Sequence, residues 1–198
     1  MTKAAPDFWA APTLTGRHVR LEPLEPSHAA GVLRASDDDE VFRWQAFSRP
    51  DTIEQAEALV GLYLARPGTI AWAQVDVATG VVAGLTTYYD IDPALRTVAI
   101  GSTWLGRRYW RTGVNTEAKL LLLRRAFDDL DCARVVWHVD SLNERSQVAV
   151  TRIGGVREGV LRKHRIRRDG SWRDTIVFSM TDDEWPAARD SLHARLDH

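Results

Sequence analysis

The 198 residues, 44% of them hydrophobic, suffice for one globular domain with a substantial core and leave little room for two. A formal net charge of −1 removes any global pull toward nucleic acid or an anionic membrane, so such a partner would need a local basic patch. Cys132 is the sole cysteine, which excludes an internal disulfide framework and a cysteine-rich zinc site and fits a reducing, cytoplasmic compartment.

In chain order, the opening stretch MTKAAPDFWAAPTLTG lacks a continuous apolar run, so residues 1–15 read as an N-terminal extension rather than a leader. Residues 17–24 (RHVRLEPL) alternate like a first strand, and Ser27 stands where a short helix through HAAGVLRA would take its N-cap. Thr52-x-x-Gln55 forms a capping box ahead of Ile53, Ala56, Leu59, Val60 and Tyr63 at helical spacing, and Pro67-Gly68 ends that helix. Residues 70–77, 81–89 and 97–105 are β-rich runs separated by short turns, which predicts an antiparallel meander. Gly113 then precedes a helix with four consecutive leucines, Leu120 to Leu123. A strand at 133–139, a helix over NERSQVAVTRI, a hairpin turning at Arg168-Asp169-Gly170 and a final helix headed by Thr181-x-x-Glu184 complete the chain. This order predicts a single α/β (α+β layered) domain over 1–198: a mixed, mostly antiparallel sheet with helices on both faces.

A helix starting at Gly113 aims unpaired backbone N–H groups and a positive dipole end at its loop, which suits a phosphate. The loop lacks the G-x-x-x-x-G-K-[ST] pattern and the three-glycine dinucleotide fingerprint, so neither ATP nor NAD has a specific signal. A lone glycine there equally suits a turn with positive φ. The segment WLGRRYWRTGVNTEAKLLLLRRAF, followed by VDSLNERSQVAVTRIGGVREGVLRKH, resembles the GNAT superfamily of N-acetyltransferases. Its ribosomal-protein N-terminal acetyltransferase branch is the nearest, and the likeness runs over roughly 17–185.

The resemblance implies transfer of an acetyl group from acetyl-CoA to a primary amine by direct attack in a ternary complex, through a tetrahedral intermediate and without an acyl-enzyme. No nucleophilic role then falls to Cys132. The family's Q/R-x-x-G-x-G/A loop lies on Trp110 to Asn115, with only Gly113 at a family-defining position. Arg111, Thr112, Gly113, Val114, Asn115 and Thr116 are thereby implied at the pyrophosphate. The cofactor's pantetheine arm is implied to pair with the backbone at Thr103, Trp104 and Leu105, where the strand at 97–105 splays from that at 133–139. An N–H around Ser102 to Trp104 would face the developing oxyanion. Asn143 is placed on the coenzyme A arm, and Ser146 beside the sulfur, as donor to the departing thiolate.

Where relatives often carry a glutamate in the third meander strand, this chain has Ala99. His138 is the base candidate, because its ordinary pKa suits proton transfer near neutrality; Asp140 follows on the same strand face. Without a strong base the site favours α-amines, about a tenth neutral at pH 7, over lysine. The segment VFRWQAFSRP shapes the acceptor pocket in such enzymes, which offers Trp44 and Phe47 as an apolar wall. Tyr88 and Tyr89 face opposite sides of their strand; Tyr88 is assigned to substrate, together with Ser102. The implied partners are an amine-bearing small molecule or a peptide or protein N-terminus, with no metal and no membrane. An exposed C-terminal strand leaves a homodimer open. Two other readings stand beside the enzyme: a catalytically silent acetyl-CoA sensor, motivated by Ala99, Trp110 and Asn115, and an RNA-binding module on the basic run at 162–168.

Overall fold

The structure, a computed structural model, describes residues 6–197. An eight-stranded sheet is built from β1 (Leu14–Thr15), β2 (Val19–Pro23), β3 (Ile70–Asp76), β4 (Val82–Asp92), β5 (Thr97–Leu105), β6 (Arg134–Asp140), β7 (Val156–Ile166) and β8 (Trp172–Thr181). The strand order is β1-β2-β3-β4-β5-β6-β8-β7, and all neighbours are antiparallel except β5 and β6. The helices are α1 (Ala29–Ala35), α2 (Asp39–Phe42), α3 (Ile53–Ala65), α4 (Gly113–Arg124), α5 (Glu144–Arg152) and α6 (Trp185–Leu196).

Strand β3 shows how the layers form. Ile70 and Trp72 pack into a cluster with Leu122, Leu123 and Leu192 of α4 and α6, whereas Ala71, Ala73 and Val75 pack with Val32, Leu59 and Val60 of α1 and α3. The strand is therefore buried on both faces, and period-two alternation deals successive side chains to opposite layers. Residues 6–13 run along this core: Phe8 is buried in it and Pro12 accepts the Trp72 indole N–H at 3.0 Å.

Some caps differ from the sequence expectation. Ser27 lies inside a 3-10 turn (Pro26–His28) headed by Glu25, whose N–H donates to His28 Nδ1 at 3.0 Å, because the Pro26 ring suits the first helical position. Thr52 does cap α3, accepting from the Gln55 N–H, but the Gln55 side chain takes the Asp51 N–H. Thr181 is still in β8, so α6 starts at Trp185 after Glu184, whose carboxylate accepts the Thr181 N–H.

Glu117 ties α4 to the sheet. Its buried carboxylate accepts the N–H groups of Arg17, His18 and Val19 at 2.5–2.8 Å, which presses His18 onto Gly113. An amide has one acceptor oxygen, so Glu117→Gln leaves at least one of these donors short and is expected to lower stability by roughly 1–3 kcal/mol in urea unfolding.

Candidate functional site

Strands β5 and β6 pair only at Thr97↔Arg134, Val98↔Val135 and Ala99↔Val136. Beyond Ala99 the ladder stops, and the strands diverge as the sequence reading expects. One cause is visible in β5: Ser102 and Thr103 stand opposite the single residue Thr86, a bulge with Ser102 at φ 45°. Such a bulge bends its strand and ends regular pairing. The gap opens into a cleft of about 1840 Å³, more than one small ligand fills.

The Gly113 loop closes one end. Arg111, at φ 61°, makes the left-handed turn, and Gly113 does not; the glycine leaves room for the His18 ring, which a Cβ there would meet at 3.0 Å. Thr112 caps α4 by accepting the Val114 N–H at 3.3 Å and donating to the Tyr109 carbonyl at 2.7 Å. The N–H groups of Gly113 and Asn115 keep no partner within the helix by virtue of their position in its first turn. Of the residues named for the pyrophosphate, Arg111, Thr112 and Asn115 line the cleft; the Val114 side chain is in the core instead, because the helix turns it inward.

Trp110 joins the two lips of the cleft. Its indole N–H donates to the Leu105 carbonyl at 2.9 Å, Arg107 lies over one side and Arg145 of α5 stacks 3.8 Å from the ring centroid. Asn143 caps α5, its Oδ1 accepting the Ser146 N–H at 3.1 Å, which leaves its amide NH₂ free to donate to a ligand. Ser146 is half-buried and lines the same cleft as Thr103, Trp104 and Leu105.

At the other end, His138 Nδ1 is 3.0 Å from the Tyr89 hydroxyl. Burial lowers the His138 pKa, Asp90 at 3.9 Å opposes this in part, and His164, Arg165 and Arg173 reinforce it, leaving the ring neutral at pH 7. Burial pushes the Tyr89 phenol up to about 12, so it stays protonated. Asp140 caps the following turn through the Leu142 N–H and receives Arg167 in two bonds of 2.8 and 2.9 Å. Burial raises its pKa, but those hydrogen bonds and charges win and hold it below the usual carboxylate range.

The assignment of Tyr88 to substrate is corrected. Its ring is 1% exposed, packs on Trp72 and donates its hydroxyl to the Leu122 carbonyl, because its parity on β4 points it to the α4 layer. Tyr89 takes the cleft face. Trp44 and Ser102 do line the cleft, and Phe47 walls an adjoining cavity of about 410 Å³ with Leu62, Tyr63 and Ala65.

Sequence reasoning missed Lys119. It is 7% exposed, reaches the cleft and donates to Thr103 Oγ1 at 2.7 Å, and burial lowers its pKa to about 7. The signal was available: Leu122, Leu123 and Ala126 follow at i+3, i+4 and i+7, and all are fully buried, so Lys119 sits on an apolar stripe. The basic residues of the hairpin divide between solvent and neighbouring groups. In the turn after β7, Arg167 bonds Asp140 and Arg168, itself exposed, donates to the Phe47 carbonyl at 2.9 Å, while β7 is the exposed edge of the sheet. No described helix is long and apolar enough to cross a membrane. Among the described residues, no cluster of three His, Cys, Asp or Glu is arranged to hold a metal.

The family described as "Acetyltransferase (GNAT) domain" matches residues 18–156. An acetyltransferase structure from T. thermophilus is 41% identical, with a TM-score of 0.87 over 96% of this chain and 100% of that one. YdaF of Bacillus subtilis, named a ribosomal N-acetyltransferase, is 28% identical over 106 residues, 54% of this chain and 57% of its own. Mycobacterium smegmatis RimJ, solved in complex with CoA-disulfide, shares the fold at 22% identity, with a TM-score of 0.80 over 96% and 97% of the two chains. The match over most of the chain, on a sheet that splays beside a helix N-terminus, makes this protein a member of the GNAT family of N-acetyltransferases.

Proposed function

We propose that the chain transfers an acetyl group from acetyl-CoA to a primary amine, with both substrates held in the cleft and the amine attacking directly. The observation that carries this reading is the loss of β5–β6 pairing after Ala99, which opens backbone edges beside the first turn of α4. Acetyl-CoA supplies the activated acetyl thioester. The residues present fit it: Arg107, Arg111 and Arg145 gather at the loop with the N–H groups of Gly113 and Asn115, a cationic setting for a pyrophosphate. The bulged end of β5 brings Thr103 to Leu105 to the cleft beside the pantetheine arm, their carbonyls already accepting from Gln45, Gln74 and Trp110, and Asn143 lines the same cleft.

His138 and Ser146 handle the protons. In the tautomer that donates Nδ1–H to the Tyr89 oxygen, His138 Nε2 is free to accept a proton from the amine. Ser146, in the first turn of α5, returns one to the thiolate. A thiol of pKa near ~8.5 leaves readily, so this donor assists without being indispensable. The relative named as a ribosomal N-acetyltransferase makes an amine of a ribosomal protein one candidate acceptor, and the weak base favours an α-amine over a lysine side chain.

The test is release of free thiol from acetyl-CoA against N-terminal peptides, amino acids and small amines, with calorimetric cofactor binding alongside. Amine-dependent release is expected; tight binding without release from any amine would put a silent cofactor sensor in its place. Ser146→Ala is expected to lower kcat roughly 10-fold with cofactor affinity unchanged. Unaltered turnover, with chemistry rate-limiting, would remove Ser146 from the reaction.

A further inference from the structure

We infer that the acceptor carries a carboxylate close to its reacting amine, held by Arg66, Arg165 and Arg173; this rests on the acetyltransfer reading above. Two groups stand out among the cations of the cleft, which also include Arg43, Lys119, Arg152, Arg167 and Arg168. Arg107, Arg111 and Arg145 belong to Trp110 and the Gly113 loop; Arg107 pairs with Asp38 at 3.1 Å, and a pyrophosphate accounts for the other two. Arg66, Arg165 and Arg173 instead surround the Tyr89–His138 pair, where coenzyme A phosphates have no part. Arg66 lies 5.6 Å from the Tyr89 ring centroid and donates to Ser102 Oγ at 3.4 Å, and Arg173 donates to the His138 carbonyl at 3.0 Å. All three act on the Tyr89 phenol as neighbouring positive charges.

Too little negative charge balances them. Asp140 is spent on the two bonds from Arg167 and stands 3.8 Å from Arg173. Asp90, beside His138, has a side chain 62% exposed to solvent. Among the described residues, neither Arg66 nor Arg165 is within 4 Å of a carboxylate oxygen, and the Arg173 Nε–H is buried without a hydrogen-bond acceptor.

The local backbone costs stability to build this. Residues Arg165 and Arg173 face each other directly across the β7–β8 ladder, and like charges so placed repel. A bulge between Leu161 and Arg165, with Lys163 at φ 49° and its N–H on Asp174, sets that register. A carboxylate entering between the two guanidiniums removes the repulsion and satisfies the orphaned donor, and Arg66 approaches from the α3 side. The cavity lined by Phe47, Leu62 and Tyr63 opens alongside for the apolar part of the same molecule.

Such a carboxylate has two sources: the α-carboxylate of a free amino acid, or an acidic side chain near a peptide N-terminus. Thiol release with alanine against alaninamide, and with Ser-Asp-Ala-amide against Ser-Asn-Ala-amide, separates them. The carboxylate member of one pair is expected to show roughly 10-fold or greater advantage in kcat/KM, and Arg165→Glu and Arg66→Glu each to erase it. Equal kcat/KM within both pairs, or an advantage that survives both reversals, overturns the inference while leaving acetyl transfer intact. Failure of every amine would instead strike the acetyltransfer reading. The inference is then decided by calorimetry of the four N-acetylated compounds in the presence of coenzyme A, where equal affinity within both pairs overturns it and tighter binding of a carboxylate member upholds it.

Discussion

Gly113→Glu is expected to weaken acetyl-CoA binding by roughly 100-fold or more while the chain remains folded. Gly113 is the first residue of α4, directly after the Thr112 cap, so a side chain there stands at the positive end of the helix dipole. A carboxylate at that end favours the helix by about 0.3–1 kcal/mol, which keeps α4 formed. The same carboxylate neutralises the site and repels a pyrophosphate that depends on the N–H groups of the first turn. Space adds to charge: a Cβ at 113 already meets the His18 ring at 3.0 Å, and His18 is held by Glu117 through its N–H. The smaller Gly113→Ala, needing His18 to yield only a few tenths of an ångström, is expected to lose far less affinity. Calorimetric titration with acetyl-CoA, beside circular dichroism and thermal melting, separates lost binding from lost fold. Unchanged affinity in a folded Gly113→Glu protein would remove this loop from the cofactor site.

The order of elements was legible because each leaves a periodic trace. The β-rich runs at 70–77, 81–89 and 97–105, separated by short turns, predicted the meander, and the apolar spacing from Ile53 to Tyr63 predicted α3 with its Thr52 cap. The splay could be expected from resemblance, while its local cause went unread: Gly101, inside the strand run and directly before Ser102 at positive φ, is the kind of residue that marks a bulge. Parity was the other blind point: period two says that Tyr88 and Tyr89 face apart, but which layer each meets depends on the register with β3 and β5. The join of Trp110 to Arg145 was equally invisible, because 35 positions of sequence separate residues that meet only when α5 returns over the cleft.

Lys119→Met is expected to raise stability at pH 7 by several kcal/mol and to abolish most of the alkaline rise in stability of the parent chain. The Lys119 ammonium is buried with Thr103 Oγ1 as its hydrogen-bond partner, and burial lowers its pKa from 10.5 to about 7. Between those values the unfolded chain binds a proton that the folded chain does not, so stability increases with pH across that window. Below pH 7 both states are protonated and the full penalty is present, on the order of 4–5 kcal/mol; it is relieved progressively toward pH 10.5. Methionine has similar length and no charge to desolvate, which removes the penalty. Urea unfolding at pH 6, 7, 8 and 9 reads this directly: a slope that persists in Lys119→Met assigns the alkaline gain to another group. A residue this costly, beside the strand end proposed for the pantetheine arm, is expected to repay its cost in cofactor affinity. Lys119→Met should then bind acetyl-CoA less tightly while melting at a higher temperature, and a variant improved in both would leave Lys119 with no part in the site.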